Sequence, residues 1–228
     1  MRRTSFPLWL VPLGVGAALL LAGHLGWWLS IRGGWTEACN PYWDGCTSVS
    51  RAARHGLGNA LFRLLVLPCS LLLAAHGWLS RAWLRDPAAA RDAGGAWLLA
   101  LWLASAHALA VYVAFLGTQG PVYNFLRSYG VTLFFGCGYL AQLLFLRLAW
   151  RRGRLSPRMR VAMLALCAAM LAEGVFKVGC DFVLDSEAAR DRVAHAVEWQ
   201  LGALLAFWYL LQARAWRNDR VTLGFAPA

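Results

Sequence analysis

The sequence is short of charge. Only 14% of its 228 residues are Asp, Glu, Lys or Arg, where a soluble domain carries about a quarter. The apolar share is 60%, above the usual range of about 45–50%. Such a composition excludes an ordinary soluble globule and a disordered chain. Acidic residues are the scarcer sign, 11 against 22 basic, for a net charge of +11. The chain also lacks the alternation of apolar and polar residues that marks a membrane β-barrel strand. It has no C-x-x-C or Cys/His zinc spacing and no G-x-S-x-G nucleophile elbow. No internal repeat stands out. No cofactor or metal is expected.

What is present is a series of long apolar runs. Six are expected to span a membrane, at about 7–29, 58–80, 95–116, 129–149, 160–179 and 192–213. A span needs about 20 apolar residues, so six leave short loops and no soluble domain. In lipid the backbone must bond to itself, which makes each run a helix. The expected fold is therefore all-α, a single polytopic bundle of six transmembrane helices. The first run is read as an anchor rather than a cleaved leader, since no A-x-A site follows it.

Arginine placement sets the orientation. With the N-terminus inside, the inner segments hold Arg2, Arg3, Arg81, Arg85, Arg91, Arg147, Arg151, Arg152, Arg154, Arg158, Arg160, Arg214, Arg217 and Arg220. Six basic residues fall outside: Arg32, Arg51, Arg54, Arg127, Arg190 and Arg192. Both termini are thus expected in the cytoplasm. The basic surplus becomes a topology signal, and a nucleic-acid partner is set aside. The Arg147–Arg160 stretch suits anionic lipid or an acidic partner as well. Trp27 and Trp28 at an outer end, and Trp78, Trp83, Trp97 and Trp150 at inner ends, suit interfacial belts. The Arg-rich, almost Lys-free composition suggests a GC-rich genome and favours a bacterial inner membrane.

The sizeable extracytoplasmic segment is 30–57. It holds Cys39 and Cys46, which form a plausible short-loop disulfide in an oxidising compartment; Cys180 is an alternative partner. Cys69, Cys137 and Cys167 fall within spans and read as small packing residues.

Ionisable groups inside a span are costly and usually face a cavity or a partner. Counted from the outer ends, Lys177 and His195 lie roughly 4 Å deep, and Arg63, His24, Glu198 and Glu173 roughly 8–10 Å. His107 is at roughly 14 Å, and Arg127 sits just before the fourth span. His76 alone belongs to the inner half and reads as structural. All six helices thus bring a titratable or cationic group to one layer. Glu173 and Lys177, four apart, share a face in the favourable order; His195 and Glu198, three apart, also share one. Convergence of these groups would leave a net positive pocket suited to phosphate.

Several of these residues fall in motifs. Cys46-Thr47-Ser48-Val49-Ser50, followed by Phe62-Arg63, resembles the C…PSIS…(W/F)R signature of the DRAM/FRAG family of autophagy modulators and GPI-lipid-remodelling proteins. The run from Gly130 through Phe134 and Gly136 to Gly138-Tyr139 is similar to its fourth-span pattern. Phe176-Lys177, Cys180 and Glu198-Trp199 match its closing pattern. Thr47 replaces the family's Pro, and Arg127-Ser128 occupy the region where a His commonly precedes the fourth-span Gly. The resemblance implies six spans and lipid handling on the outer or luminal side, and carries over Ser48, Ser50, Arg63, Lys177 and Glu198.

The leading functional expectation is a protein that binds or remodels membrane lipid. A phosphate-bearing headgroup would lie against Arg63, Arg127 and Lys177, with Glu173, His195 and Glu198 beside them. One alternative is an intramembrane lipid hydrolase or acyltransferase. His195 and Glu198 would then serve as base and orienting carboxylate, and Ser48 or Ser50 as nucleophile. A zinc variant would use His195, Glu198 and Glu173 as ligands. A small transporter and a membrane scaffold complete the set, with no protein partner identified. The transporter lacks a polar path through the inner half and paired Gly or Pro breaks at mid-depth.

Overall fold

The computed structural model describes residues 4–85 and 92–223. Arg2, Arg3 and Arg91, counted above among the inner basic residues, lie outside them. The described chain folds as β1 (Thr4–Pro7), α1 (Leu10–Arg32), α2 (Val49–Ala52), α3 (Gly56–Trp83), α4 (Ala93–Ala114), α5 (Pro121–Arg151), α6 (Pro157–Val183), α7 (Glu187–Ala215) and β2 (Arg220–Leu223). Five helices, α1, α3, α4, α5 and α6, are long and apolar enough to cross a membrane, and the chain is an integral membrane protein. The sixth long helix, α7, opens on a polar turn containing Glu187, Arg190, Asp191 and Arg192. One element departs from a purely helical fold. β1 and β2 pair antiparallel, Phe6 opposite Val221, and bring the two ends of the chain together at one end of the bundle.

Local chemistry explains where the helices begin. Ser156 and Ser186 cap α6 and α7 by accepting from the Met159 and Ala189 amides at 3.3 and 3.4 Å. Asp92 caps α4 through the Gly95 amide at 3.2 Å. Such side chains satisfy donors that a helix start leaves free. Pro121 begins α5, where its missing N–H costs nothing. This start precedes the apolar run by two turns, so Asn124, Arg127 and Ser128 ride on helix rather than loop.

Around the bundle the neighbours run α5, α4, α3, α1, α7, α6, each packed along its length against the next. The ring closes only lightly between α6 and α5. The buried residues of α6, Met163, Cys167 and Met170, all lie in its first half. There Tyr139 donates to the Cys167 carbonyl at 3.2 Å. Beyond Met170 the two helices leave an open seam.

The core runs the length of the bundle, from Ala53 and Leu116 at one end to Trp216 at the other, and its largest aromatic side chains gather in the half nearest the termini. Trp102, Phe145, Trp208, Tyr209 and Trp216 are fully buried there. They surround His76, whose ring meets Trp102 edge-on at 4.8 Å and Tyr209 at 5.3 Å. His76 Nε2 bonds to Gln212 Oε1 at 2.9 Å. Gly77 lets α3 close on α4, because a Cβ there would collide with Trp102. At the rim, Asp92 pairs with Arg152 at 3.1 Å and Arg81 at 3.8 Å. Trp78, Trp97 and Trp150 point outward there, as an interfacial belt would. Trp83 instead stacks inward on Phe145, and at the opposite end Trp27 packs against Trp199. That opposite end, toward which α1 ends and α3 begins, holds the larger cavities, whereas one of about 260 Å³ lies at the termini end beside Arg154, Ser156, Arg214 and Arg217.

Candidate functional site

Between α1 and α3 the chain does not cross directly. Residues 33–48 pass over α7 as a strap, closed on itself by a disulfide between Cys39 and Cys46, whose Cα atoms are 6.6 Å apart. Cys180 is free. Four bonds fasten the strap and the α2 start to α7. His195 Nδ1 donates to Gly45 O at 3.0 Å, Trp199 Nε1 to Thr47 O at 2.8 Å, and Gln200 to Tyr42 O at 2.9 Å. The Ser50 amide donates to Glu198 Oε1 at 3.2 Å. Gly45 makes the crossing possible. Its φ is +58°, and a Cβ on it would collide with the Arg192 carbonyl of α7.

Below the strap, His24 Nδ1 donates to its own helix at Leu20 O, 2.7 Å away. Nε2 is then left to accept from the Tyr42 hydroxyl at 3.1 Å. Burial raises the Tyr42 phenol above its ordinary value.

Two cavities adjoin here. The first is a polar cleft of about 460 Å³ between α5 on one side and α6 and α7 on the other. Arg54, Arg127 and Lys177 supply cations to it, Glu198 a carboxylate, and Ser50, Ser128 and Thr132 hydroxyls. The second is a narrow apolar slot of about 80 Å³ inside the bundle, lined by Leu19, Val66, Leu109, Phe134 and Leu205 among others. Tyr112, Val131, Phe135 and Glu198 line both, so the slot and the cleft lie on two sides of the same side chains.

The cations differ in how far they are already engaged. Arg127 donates to the Phe115 carbonyl at 3.5 Å, and also to Thr118 O and Asn124 Oδ1. It thereby serves carbonyls left free where α4 ends. Lys177 pairs with Asp181. Arg54 has a buried Nε without a partner. Burial, then the positive charges of Arg127 and Arg51, hold its guanidinium below its ordinary value. Of the three cleft cations it alone keeps a buried donor without a hydrogen-bond partner.

Of the sequence-selected residues, the cleft brings together Arg127, Lys177, Glu198 and Ser50. It does not take Arg63, whose guanidinium turns to the Ala114 carbonyl at 3.1 Å and caps the last residue of α4. Glu173 and Lys177 are not paired. Lys177 reaches one turn further to Asp181, toward the open end of the bundle, as a long cationic side chain does when water lies that way. One Glu173 carboxylate oxygen is buried without a partner. His195 turns to the strap and not to Glu198, although the two are one turn apart. Ser48 is buried; its hydroxyl accepts from the Arg51 amide at 3.1 Å and lies 3.1 Å from the Ser50 hydroxyl. Among the described residues no hydrogen bond joins a histidine to either serine, and no three His, Cys, Asp or Glu side chains cluster for a metal. His107 is exposed on the bundle surface.

Arg54 was not singled out by the sequence, where it counts as one more loop arginine. The spacing Ser50–Arg54 across the short α2 turn was the available signal. Against models of protein families, curated proteins and solved structures, the chain has no match.

Proposed function

We propose that the protein binds a phosphate-bearing membrane lipid, headgroup in the cleft. The observation that carries the reading is the convergence of Arg54, Arg127 and Lys177 from three separate elements on one cleft beside the open α5–α6 seam. Ionisable residues facing a cavity inside a membrane protein mark a functional site by default. Guanidinium groups match phosphate oxygens by paired hydrogen bonds. Glu198 limits the net charge and, through Ser50, ties the cleft to the strap.

In this reading α7 is the sixth span, the strap end faces the extracytoplasmic side, and both termini are cytoplasmic. A bridged Cys39–Cys46 agrees with an oxidising outer face. The preferred location is a bacterial inner membrane, and lipid enters sideways through the seam. The motif resemblance to lipid-remodelling proteins points the same way.

Native mass spectrometry of purified protein tests it. Wild type should retain anionic phospholipid preferentially, and an Arg54→Gln/Lys177→Gln variant should lose that preference. Equal retention by both would refute the reading.

A further inference from the structure

Resting on that reading, we infer that the apolar slot takes one hydrocarbon chain of the same lipid, so that the protein recognises headgroup and tail together. Three observations carry it. The slot and the cleft share Tyr112, Val131, Phe135 and Glu198 as walls, so a molecule anchored among the cations has apolar space directly beside it. The change of lining, from charged to aliphatic and aromatic, follows the polarity of a phospholipid from headgroup to chain. Gly202 lines the slot and faces open space, where an added Cβ would meet nothing within 4 Å.

The slot's narrowness selects the ligand class. A cavity of about 80 Å³ holds roughly three methylene groups of one chain, at about 30 Å³ for each water-sized group, and no ring system. It therefore reads only the first few carbons of a chain next to the headgroup. A second chain stays in the bilayer outside the seam. The recognised class is a lipid phosphate with one chain drawn between α1, α3, α4, α5 and α7. Gly202 and Leu205 then determine chain specificity, whereas Arg54 determines headgroup specificity.

The experiment compares palmitoyl lysophosphatidic acid with glycerol 3-phosphate, the same headgroup without a chain, as probes, in equilibrium binding to detergent-purified protein. Gly202→Phe should weaken the palmitoyl probe by about tenfold or more. It should leave the chain-free probe within about twofold. Arg54→Gln should weaken both. Unchanged palmitoyl binding in Gly202→Phe, with both probes weakened in Arg54→Gln, would overturn the slot and leave the headgroup reading standing. No effect of Arg54→Gln on either probe would overturn both. A second measurement needs no variant: a palmitoyl probe with a diazirine on its chain, photolysed on wild type. Labelling at Leu19 or Leu109 supports the inference, and labelling confined to the outward faces of α5 and α6 overturns it.

Discussion

Replacing Gly45 by alanine should unfasten the strap. Two costs arise at the residue itself. A left-handed backbone at φ +58° costs an L-residue roughly 1–2 kcal/mol. The new Cβ meets the Arg192 carbonyl, a backbone group that cannot swing aside, at a further cost of about 1–3 kcal/mol. If the strap lifts to avoid the clash, His195 loses Gly45 O, worth about 1 kcal/mol. The lost bond replaces the clash rather than adding to it, so the expected destabilisation is roughly 3 kcal/mol. Gly34→Ala is the control, because Gly34 has φ +71° but nothing within 4 Å. It should cost only the backbone strain, roughly 1 kcal/mol. Thermal unfolding in detergent should then separate the two variants by about 4–8 °C. Hydrogen exchange should show the Ser50 amide, bonded to Glu198 in wild type, losing protection in Gly45→Ala alone. Equal melting losses and an unchanged Ser50 amide would refute the tight crossing of strap and helix.

Other outcomes follow from the same contacts. Arg63→Ala should lower stability by about 1.5–3 kcal/mol, since it frees the Ala114 carbonyl at the end of α4. Lipid retention should stay unchanged, the reverse of the cleft variants; melting and native mass spectrometry on one preparation check both. His76→Leu should cost about 1–3 kcal/mol by leaving Gln212 Oε1 unpaired in the core. The double variant with Gln212→Leu should recover part of that, giving a coupling measurable in a double-mutant cycle. Tyr42 predicts an alkaline dependence. Its folded value is raised above the ordinary 10.0 by burial. The unfolded chain therefore loses the proton first, and the contribution is present below pH 10.0 and is lost as pH rises through the folded value. Tyr42→Phe should flatten that alkaline fall in melting temperature.

Hydropathy located the helices because the length of apolar chain and the thickness of a bilayer are matched quantities. Five of the expected spans coincide with apolar helices. The sixth, 192–213, falls within α7, where Glu198, Gln200 and Gln212 interrupt the apolar run and keep it apart from the others. The shared depth of the charged residues was also legible, since it is a count along each helix. Which way each side chain turns was not. Arg63 and Arg127 are drawn to carbonyls at Ala114, Phe115 and Thr118, backbone acceptors that exist only because α4 ends there. Lys177 has acidic residues four positions away on either side, Glu173 and Asp181, and spacing alone does not choose between them. Arg54 reaches the cleft because the strap and α2 fold over α7, a long-range arrangement set by Gly45 and by carbonyls that any sequence would supply. The disulfide was readable from seven-residue spacing as one of two pairings, and the strap's path excludes neither until it is seen lying on α7.

The most direct test places a photo-reactive amino acid at Leu201, on the wall of the cleft, and another at Phe182, which is 86% exposed on α6. Each is irradiated in native membranes, and the captured lipids are identified by mass spectrometry. Lipid captured at Leu201 should be enriched in phosphate-bearing anionic species relative to that at Phe182, and Arg54→Gln should abolish the enrichment. Identical lipid profiles at the two positions would contradict a headgroup site in the cleft.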